Sequence, residues 1–351
     1  MVRVNLLSLD GGGIRGLIPL HILNELSKEV DLRATFDAMA GTSTGAIIAT
    51  GLSLFEGTSS QNGKFKYSAN DLVKLFEEQA WEIFSRKSWG WLQSKYRHQG
   101  LEAVLKRYFG ETTLGNCQIP LVIPTYNLAN YQPVFFKTRY VDDALSAQTE
   151  RASRWQLWEI LRATSAAPTY FPLFEKAGMK LIDGGIHVNN PALSLLTEIV
   201  GNPQYYGLPL PDRTGKTPEE TQAGPLQINL LSLGTGRSTE ANFAPSFGGA
   251  LAYAKKAIDI SMFGNLQLVD YNLNQLRTRE NPNVLNFEFN YLRLSPDITD
   301  HRYGDLDSVS TDSFAYYRKV VAAYFQNMSP SLRQELQTFM LQMIGGEGEK
   351  M

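Results

Sequence analysis

Cysteine is nearly absent from the chain. Cys117 stands alone in 351 residues, so no disulfide within the chain can staple the fold, and this usage fits a reducing compartment. A lone cysteine of this kind reads as a small core residue rather than a catalyst. An excess of one charge is also missing, with 33 Lys and Arg against 35 Asp and Glu. That balance argues against bulk binding to a nucleic-acid polymer or to an anionic membrane, although a local patch could do either. No apolar run approaches the ~20 residues of a membrane span. Residues 1–10 form a short apolar stretch broken by Gly11, Gly12 and Gly13, without the apolar core of a secretion leader. The expectation is a cytoplasmic protein. Histidine is scarce, with His21, His98, His187 and His301 only, and there is no internal repeat or low-complexity tract. What is plentiful is apolar residues, 43% of the chain, enough for a large core.

The apolar pattern starts as strand, helix, strand, helix: residues 4–9, 17–30, 36–40 and 44–54. That alternation predicts an α/β fold, a mostly parallel sheet covered by helices on both faces. Residues 55–68 read as a surface loop, followed by a helix over 70–84 with Asn70 as its N-cap. Further strands are predicted at 121–125, 134–138, 180–182 and 228–233, and a late one at 284–294. Helices are predicted at 155–164, 191–200, 311–325 and 329–343. Residues 202–224 read as an excursion and the Gly-rich C-terminus as a frayed tail. The whole forms one catalytic domain over 1–345, with insertions near 55–100 and 201–225 and a flexible tail at 346–351.

Between the second strand and second helix lies Gly41-Thr42-Ser43-Thr44-Gly45. Gly-x-Ser-x-Gly in that setting is the nucleophile-elbow pattern, in which a sharp turn thrusts the serine out of the sheet and leaves no room for side chains two residues away. The helix N-terminus behind Ser43 favours developing negative charge. The bland alternative is a tight turn with an N-capping serine.

After the first strand comes Asp10-Gly11-Gly12-Gly13-Ile14-Arg15-Gly16, a loop of bare amides suited to an anion. Two readings compete. As G-x-G-x-x-G it would hold a dinucleotide, which requires an acidic residue ending the next strand; Asp31 comes too early and Asp37 stands at the strand's start. As an oxyanion hole it would use Gly11, Gly12 and Gly13, working together with Ser43. Arg15 then adds positive charge or ties the loop to carbonyls.

A serine nucleophile needs a proton acceptor. Asp183 ends a short apolar strand and is followed by Gly184 and Gly185, which leave its carboxylate uncrowded. It could serve directly as base if burial raised its pKa. The order Ser, Asp, His also admits a triad with His301 as base, while His187 reads as a structural histidine.

With these residues in view, the chain resembles the patatin-like phospholipases. The resemblance rests on DGGGIRG at 10–16, GTSTG at 41–45, the Ala163–Phe171 stretch ATSAAPTYF, and DGG at 183–185, and it covers about 185 residues. It implies a three-layer sandwich, a Ser43–Asp183 dyad without histidine, metal or cofactor, and hydrolysis of acyl esters in phospholipids or other lipids. Ser43 would attack, Asp183 would take its proton and later activate water, and the amides of Gly11, Gly12 and Gly13 would hold the oxyanion, supported by Arg15, Gly41, Gly45, Gly184 and Gly185. It further suggests a bacterial effector that degrades membrane lipid in anti-phage defence when a cyclic nucleotide binds. Trp81, Phe84, Trp89 and Trp91, near Arg86, Lys87, Lys95 and Arg97, would suit transient contact with a membrane surface; burial of those aromatics is the plainer alternative. Two rivals from other classes are a dinucleotide-dependent oxidoreductase and a catalytically silent binding module.

Overall fold

The computed structural model describes residues 2–28, 32–56, 64–85, 94–138, 155–206, 226–238, 249–277 and 287–345. Its sheet is built from β1 (Val2–Leu9), β2 (Ala38–Gly41), β5 (Leu121–Asn127), β6 (Gln132–Lys137), β7 (Phe174–Lys176), β8 (Met179–Asp183), β9 (Leu226–Leu233) and β11 (Glu288–Leu294). The order is β11-β9-β1-β2-β5-β8-β7, with β6 also on β5. The run from β11 to β5 is parallel, whereas β6, β7 and β8 add antiparallel pairings. Two short pairs lie outside it: β3 (Phe55–Glu56) with β4 (Lys64–Phe65), inside the stretch expected as loop, and β10 (Arg237–Ser238) with β12 (Asp297–Ile298).

Alternation along the strands divides the core in two. Val4, Leu6, Ile228, Leu230, Phe289 and Tyr291 meet α6 (Ala192–Gly201) and the long α7 (Gly249–Arg277). Leu7, Leu9, Leu231, Leu233, Leu292 and Leu294 face the other way. There they meet α1 (Leu17–Leu26), α2 (Thr44–Ser53), α3 (Ala69–Ile83), α4 (His98–Phe109), α5 (Leu157–Thr164), α8 (Thr311–Gln326) and α9 (Pro330–Ile344). The layers are helices, sheet, helices, as expected from the alternation of elements.

Several boundaries moved for local reasons. α3 is capped by Ser68, not Asn70: the Ser68 hydroxyl accepts from the Asp71 N–H while the Asp71 carboxylate accepts from the Ser68 N–H, a reciprocal box that a lone Asn70 cap cannot match. The second strand begins at Ala38 rather than Phe36 because the Asp37 carboxylate caps the Asn5 N–H at 2.7 Å. α4 and α7 have no counterpart among the predicted helices. The tail, most of the 202–224 excursion, and Trp89 and Trp91 lie outside the described residues.

On the α9 side, Asn5, Asn229 and Asn290 stand in register on three adjacent strands. Their amides chain together at 2.8 and 3.0 Å, and Asn5 donates to the carbonyl of Met343 at 2.9 Å. The last carbonyls of a helix have no partner within it; here the sheet supplies one.

Candidate active site

β5 explains why Ser43 and Asp183 meet. One edge of β5 is taken over its length by β6. The other is shared: β2 pairs with Leu121 and Val122, and β8 pairs with Thr125 to Asn127. β2 runs parallel to β5 and β8 runs against it, so the two strands point head-on at the gap around Ile123 and Pro124. Each ends there in a turn, β2 in the elbow and β8 in the Gly184–Ile186 turn. Asp183 ends a short strand, as expected, and that strand is antiparallel to both of its neighbours. Register on an antiparallel strand, Thr125 opposite Asp183, brings it there.

The elbow is strained as its sequence implied. Ser43 has φ 54° and ψ −120°, a conformation rarely adopted by residues other than glycine and found mainly at functional sites. A Cβ at Gly41 would lie 2.2 Å from the carbonyl oxygen of Gly45, and one at Gly45 would lie 2.2 Å from that of Leu9. The Ser43 N–H donates to the Thr164 hydroxyl at 3.1 Å, and that hydroxyl donates to the Pro124 carbonyl at 2.6 Å. The relay spans the gap left between β2 and β8.

Asp183 is buried, and desolvation pushes its pKa up to about 6, against the Gly185 N–H at 2.7 Å and the nearby Ser43 hydroxyl, which both lower it. A carboxylate in that range holds a hydroxyl proton better than an exposed one.

The glycine loop crosses above. Gly12 lies against Thr235, where an added Cβ would come within 2.2 Å of the hydroxyl oxygen, and Gly13 takes φ +58° against the Leu306 carbonyl. The Gly11 N–H is already engaged with the Asn189 carbonyl at 3.1 Å. The three-glycine oxyanion reading therefore narrows to Gly12 and Gly13, whose amides have no acceptor among the described residues. Gly11 instead provides room, since a Cβ there would be 2.4 Å from Asn189 Oδ1. Arg15 is buried, with Nε 3.5 Å from the Gly12 carbonyl, the loop-fixing alternative.

Asp10, fully buried, is ion-paired with Arg293 of β11 at 2.5 Å. Burial raises the pKa of Asp10, and the guanidinium opposes that rise. The pair anchors the loop to the far side of the sheet.

From Ser43 an apolar channel runs between α2, α3 and α4. Ile47, Leu75, Phe76, Ile83, Phe84, Leu101, Val104, Leu105 and Tyr108 line it, with Ser43, Asp183, Gly12 and Gly13 at its polar end. Phe84 thus belongs to the channel wall, while Trp81 is half exposed and edge-on to Phe314. Met262 of α7 and Leu306 also line the channel.

The histidines stand apart. His301 is exposed in a short turn and does not line the channel, so the triad alternative lacks its base. His187 packs against the rings of Tyr126 and Phe135, and burial lowers its pKa to about 4. Asp37, the acid a dinucleotide would need, is committed to Asn5. Reasoning from sequence missed Thr164, Asn189, Thr235, Met262 and Arg293. Two left a signal: Thr164 lies inside the ATSAAPTYF stretch at 163–171, and Asn189 belongs to an Asn-Asn-Pro cluster six residues beyond Asp183.

A family model described as patatin-like phospholipase matches residues 7–196. Patatin-like protein 2 of Oryza sativa subsp. indica is 30% identical over 98% of this chain and 89% of its own. Patatin-like protein 4 of Arabidopsis thaliana is 31% identical over 84% and 76%. A cGAMP-activated phospholipase of Pseudomonas aeruginosa (strain BWHPSA011 / Pa011) is 32% identical over 56% of either chain. This chain belongs to the patatin-like phospholipase family and is a lipid acyl hydrolase, a hydrolase of carboxylic esters.

Proposed function

We propose that Ser43 and Asp183 act as a two-residue catalytic unit on acyl esters of phospholipids or related lipids, through an acyl-enzyme. The observation that carries this reading is the convergence, at the polar end of one apolar channel, of Ser43 on its strained elbow and the buried Asp183 carboxylate, whose pKa is raised to about 6. Asp183 takes the Ser43 proton as Oγ bonds to the acyl carbon. The carbonyl oxygen becomes an oxyanion facing the Gly12 and Gly13 amides and the N-terminus of α2. The intermediate collapses, the proton passes to the departing alcohol, and the acyl group remains on Ser43. Water then gives a proton to Asp183 and attacks the ester; collapse returns that proton to Ser43 and releases the fatty acid. The cycle balances with water as its one co-reactant. The acyl chain lies in the apolar channel, which favours a lipid tail over a polar acyl group.

A fluorophosphonate probe tests the nucleophile. The wild-type protein takes up one label per chain, and Ser43→Ala takes up none and loses esterase activity. Ester hydrolysis that survives in Ser43→Ala would refute the dyad.

Substrate arrives from a bilayer, and α7 offers a surface for it. Ile260, Leu268 and Tyr271 are among the most exposed large apolar residues described, and with exposed Gly264 they form one stripe along the helix. Between Ile260 and Leu276 the one charged residue is Asp270, which turns inward to the Tyr291 hydroxyl at 2.8 Å. On the opposite face of the same helix Met262 lines the channel beside Gly185. No described helix is long and apolar enough to cross a membrane; the contact proposed for α7 is a peripheral, transient one.

Activation by a cyclic nucleotide, with a role in defence, is the second reading, favoured by the Pseudomonas relative's name. A polar cleft containing Arg237, Arg277, Arg293 and Tyr291 shares Asp10 with the glycine loop, giving an activator a direct path to the oxyanion site. Vesicle hydrolysis measured with and without cyclic dinucleotides decides it; an identical rate with each would end this reading.

A further inference from the structure

The dyad accounts for acylation with two side chains, but hydrolysis of the acyl-enzyme makes a further demand. The serine hydroxyl carries one hydrogen, and Asp183 receives it. Water carries two. If one goes to Asp183, the second must find its own acceptor in a buried site, or it stays unpaired and the water oxygen is not aimed.

Asn189 supplies an acceptor at that place. It is 3% exposed, and its Oδ1 receives no hydrogen bond among the described residues. Buried polar atoms are overwhelmingly paired, so one that is not points to a role. Two constructions locate it. A Cβ on Gly11 would lie 2.4 Å from Asn189 Oδ1 and 3.5 Å from Ser43 Cβ; a Cβ on Gly185 would lie 3.0 Å from both Asn189 Oδ1 and Asp183 Oδ1. The two oxygens, each 3.0 Å from the same point, are therefore no more than 6 Å apart, a range that includes the roughly 4.5 Å bridged by one water making two bonds of about 2.8 Å. The backbone of Asn189 is held at both ends: its N–H donates to Asn265 Oδ1 of α7 at 3.0 Å, and its carbonyl accepts the Gly11 N–H at 3.1 Å. The acceptor is thus fixed relative to the oxyanion loop.

We propose that Asn189 is the water-positioning residue of deacylation, an inference that rests on the Ser43–Asp183 reading. Its Oδ1 accepts one hydrogen of the attacking water while Asp183 accepts the other. The water lone pair is thereby aimed at the acyl carbon on Ser43. The oxygen–carbon bond forms as Asp183 gains its proton, and the ester bond to Ser43 Oγ breaks as that proton is returned. Acylation does not use Asn189. An alcohol acceptor has a single exchangeable hydrogen and depends on it less than water does.

The experiment follows p-nitrophenyl butyrate cleavage by the full chain, with and without methanol. In Asn189→Ala the first release of p-nitrophenol stays near the wild-type rate and reaches one equivalent per chain. Steady turnover drops roughly tenfold, the scale of one lost hydrogen bond at a reacting group, and the butyryl adduct on Ser43 accumulates in intact-mass spectra. The ratio of methyl ester to butyric acid rises by a similar factor. Fluorophosphonate labelling at wild-type stoichiometry confirms that the variant is folded with its nucleophile intact. Should it not be, Asn189→Ser, which keeps a small oxygen acceptor, is measured in its place and must give the same product ratio shift in milder form. Parallel loss of the burst and of turnover, with an unchanged product ratio, would overturn the proposal. Activity in Ser43→Ala would instead remove the dyad on which it stands.

Discussion

The two walls around Ser43 differ in what fixes them. On the elbow side, backbone meets backbone: added Cβ atoms would stand 2.2 Å from carbonyl oxygens at both Gly41 and Gly45. On the channel side, side chains of α3 and α4 meet across space, among them Phe76, Ile83, Val104 and Leu105. A flexible side chain can yield by a rotamer change and a carbonyl cannot. Chemistry is thus set by the rigid wall and acyl preference by the yielding one. Substitutions on the first should act on rate for every substrate, and those on the second on the choice among substrates.

Asp183→Asn strikes the rigid wall hardest. Loss of the base should lower kcat by about 10²–10⁴, measured on a soluble ester, with fluorophosphonate labelling slowed as well. The same change should raise stability at neutral pH. The sign follows from the raised pKa: between the unfolded carboxylate range and about 6 the native state holds a proton that the unfolded chain has lost, so wild-type stability falls as pH rises through that window. Asparagine removes that loss, and a denaturant titration should find Asp183→Asn more stable at pH 7 than at pH 4 relative to wild type, by on the order of 2 kcal/mol. For the wild type, kcat/KM should rise through about pH 6 as Asp183 ionises. A flat profile from pH 5 to 8 would remove Asp183 as the base.

Gly12→Ala comes next. The new methyl would meet the Thr235 side chain, whose hydroxyl oxygen and Cβ lie 2.2 and 2.5 Å from its position, and the amide must turn away from the oxyanion. Losing one such donor costs about 10²–10³ in kcat, equally for short and long acyl chains. A loss that varied with chain length would blur the division between the walls.

These differences also mark what the sequence made visible. The elbow and the loop were legible because their glycines gather in short strings between a strand and a helix, even though most of the atoms that require them, such as the Leu9 carbonyl at Gly45 and Thr235 at Gly12, come from distant parts of the chain. Asp183 was legible as a strand end flanked by glycines. Its path to Ser43 was not, because that depends on β2 and β8 sharing one edge of β5, through pairings such as Met39 with Leu121 and Thr125 with Asp183 that join well-separated segments. The engaged Gly11 amide and the Asp10–Arg293 pair depend on equally distant partners. α7 escaped notice because its buried Met262, Val269 and Leu273 are interleaved with Asn, Gln and Gly, so neither face reads as a continuous apolar stripe.

The yielding wall answers to Leu105→Trp. The larger ring fills part of the channel, and neighbouring side chains can move to spare the site. The ratio of kcat/KM for decanoyl over butyryl esters should fall roughly tenfold, the scale of a few methylenes excluded from an apolar pocket, while the butyryl value stays near wild type. Equal losses on both esters would mean that the ring disturbs Ser43 itself.

The smallest effect belongs to neither wall but to the outer face of α7. Ile260→Glu with Leu268→Glu places two carboxylates on an exposed stripe, and exposed substitutions of this kind change fold stability by only about 0.5 kcal/mol. If that face meets the bilayer, each glutamate resists the apolar boundary, and hydrolysis of phosphatidylcholine vesicles should fall several-fold. Turnover of a soluble butyryl ester should not change, because Met262 on the opposite face still lines the channel. The wild-type vesicle rate should also vary little with added anionic lipid, since the stripe carries no cation of its own between Ile260 and Leu276. A vesicle rate unchanged by both glutamates would take α7 off the membrane, and a soluble-ester rate that fell with it would show that the two faces of the helix move together.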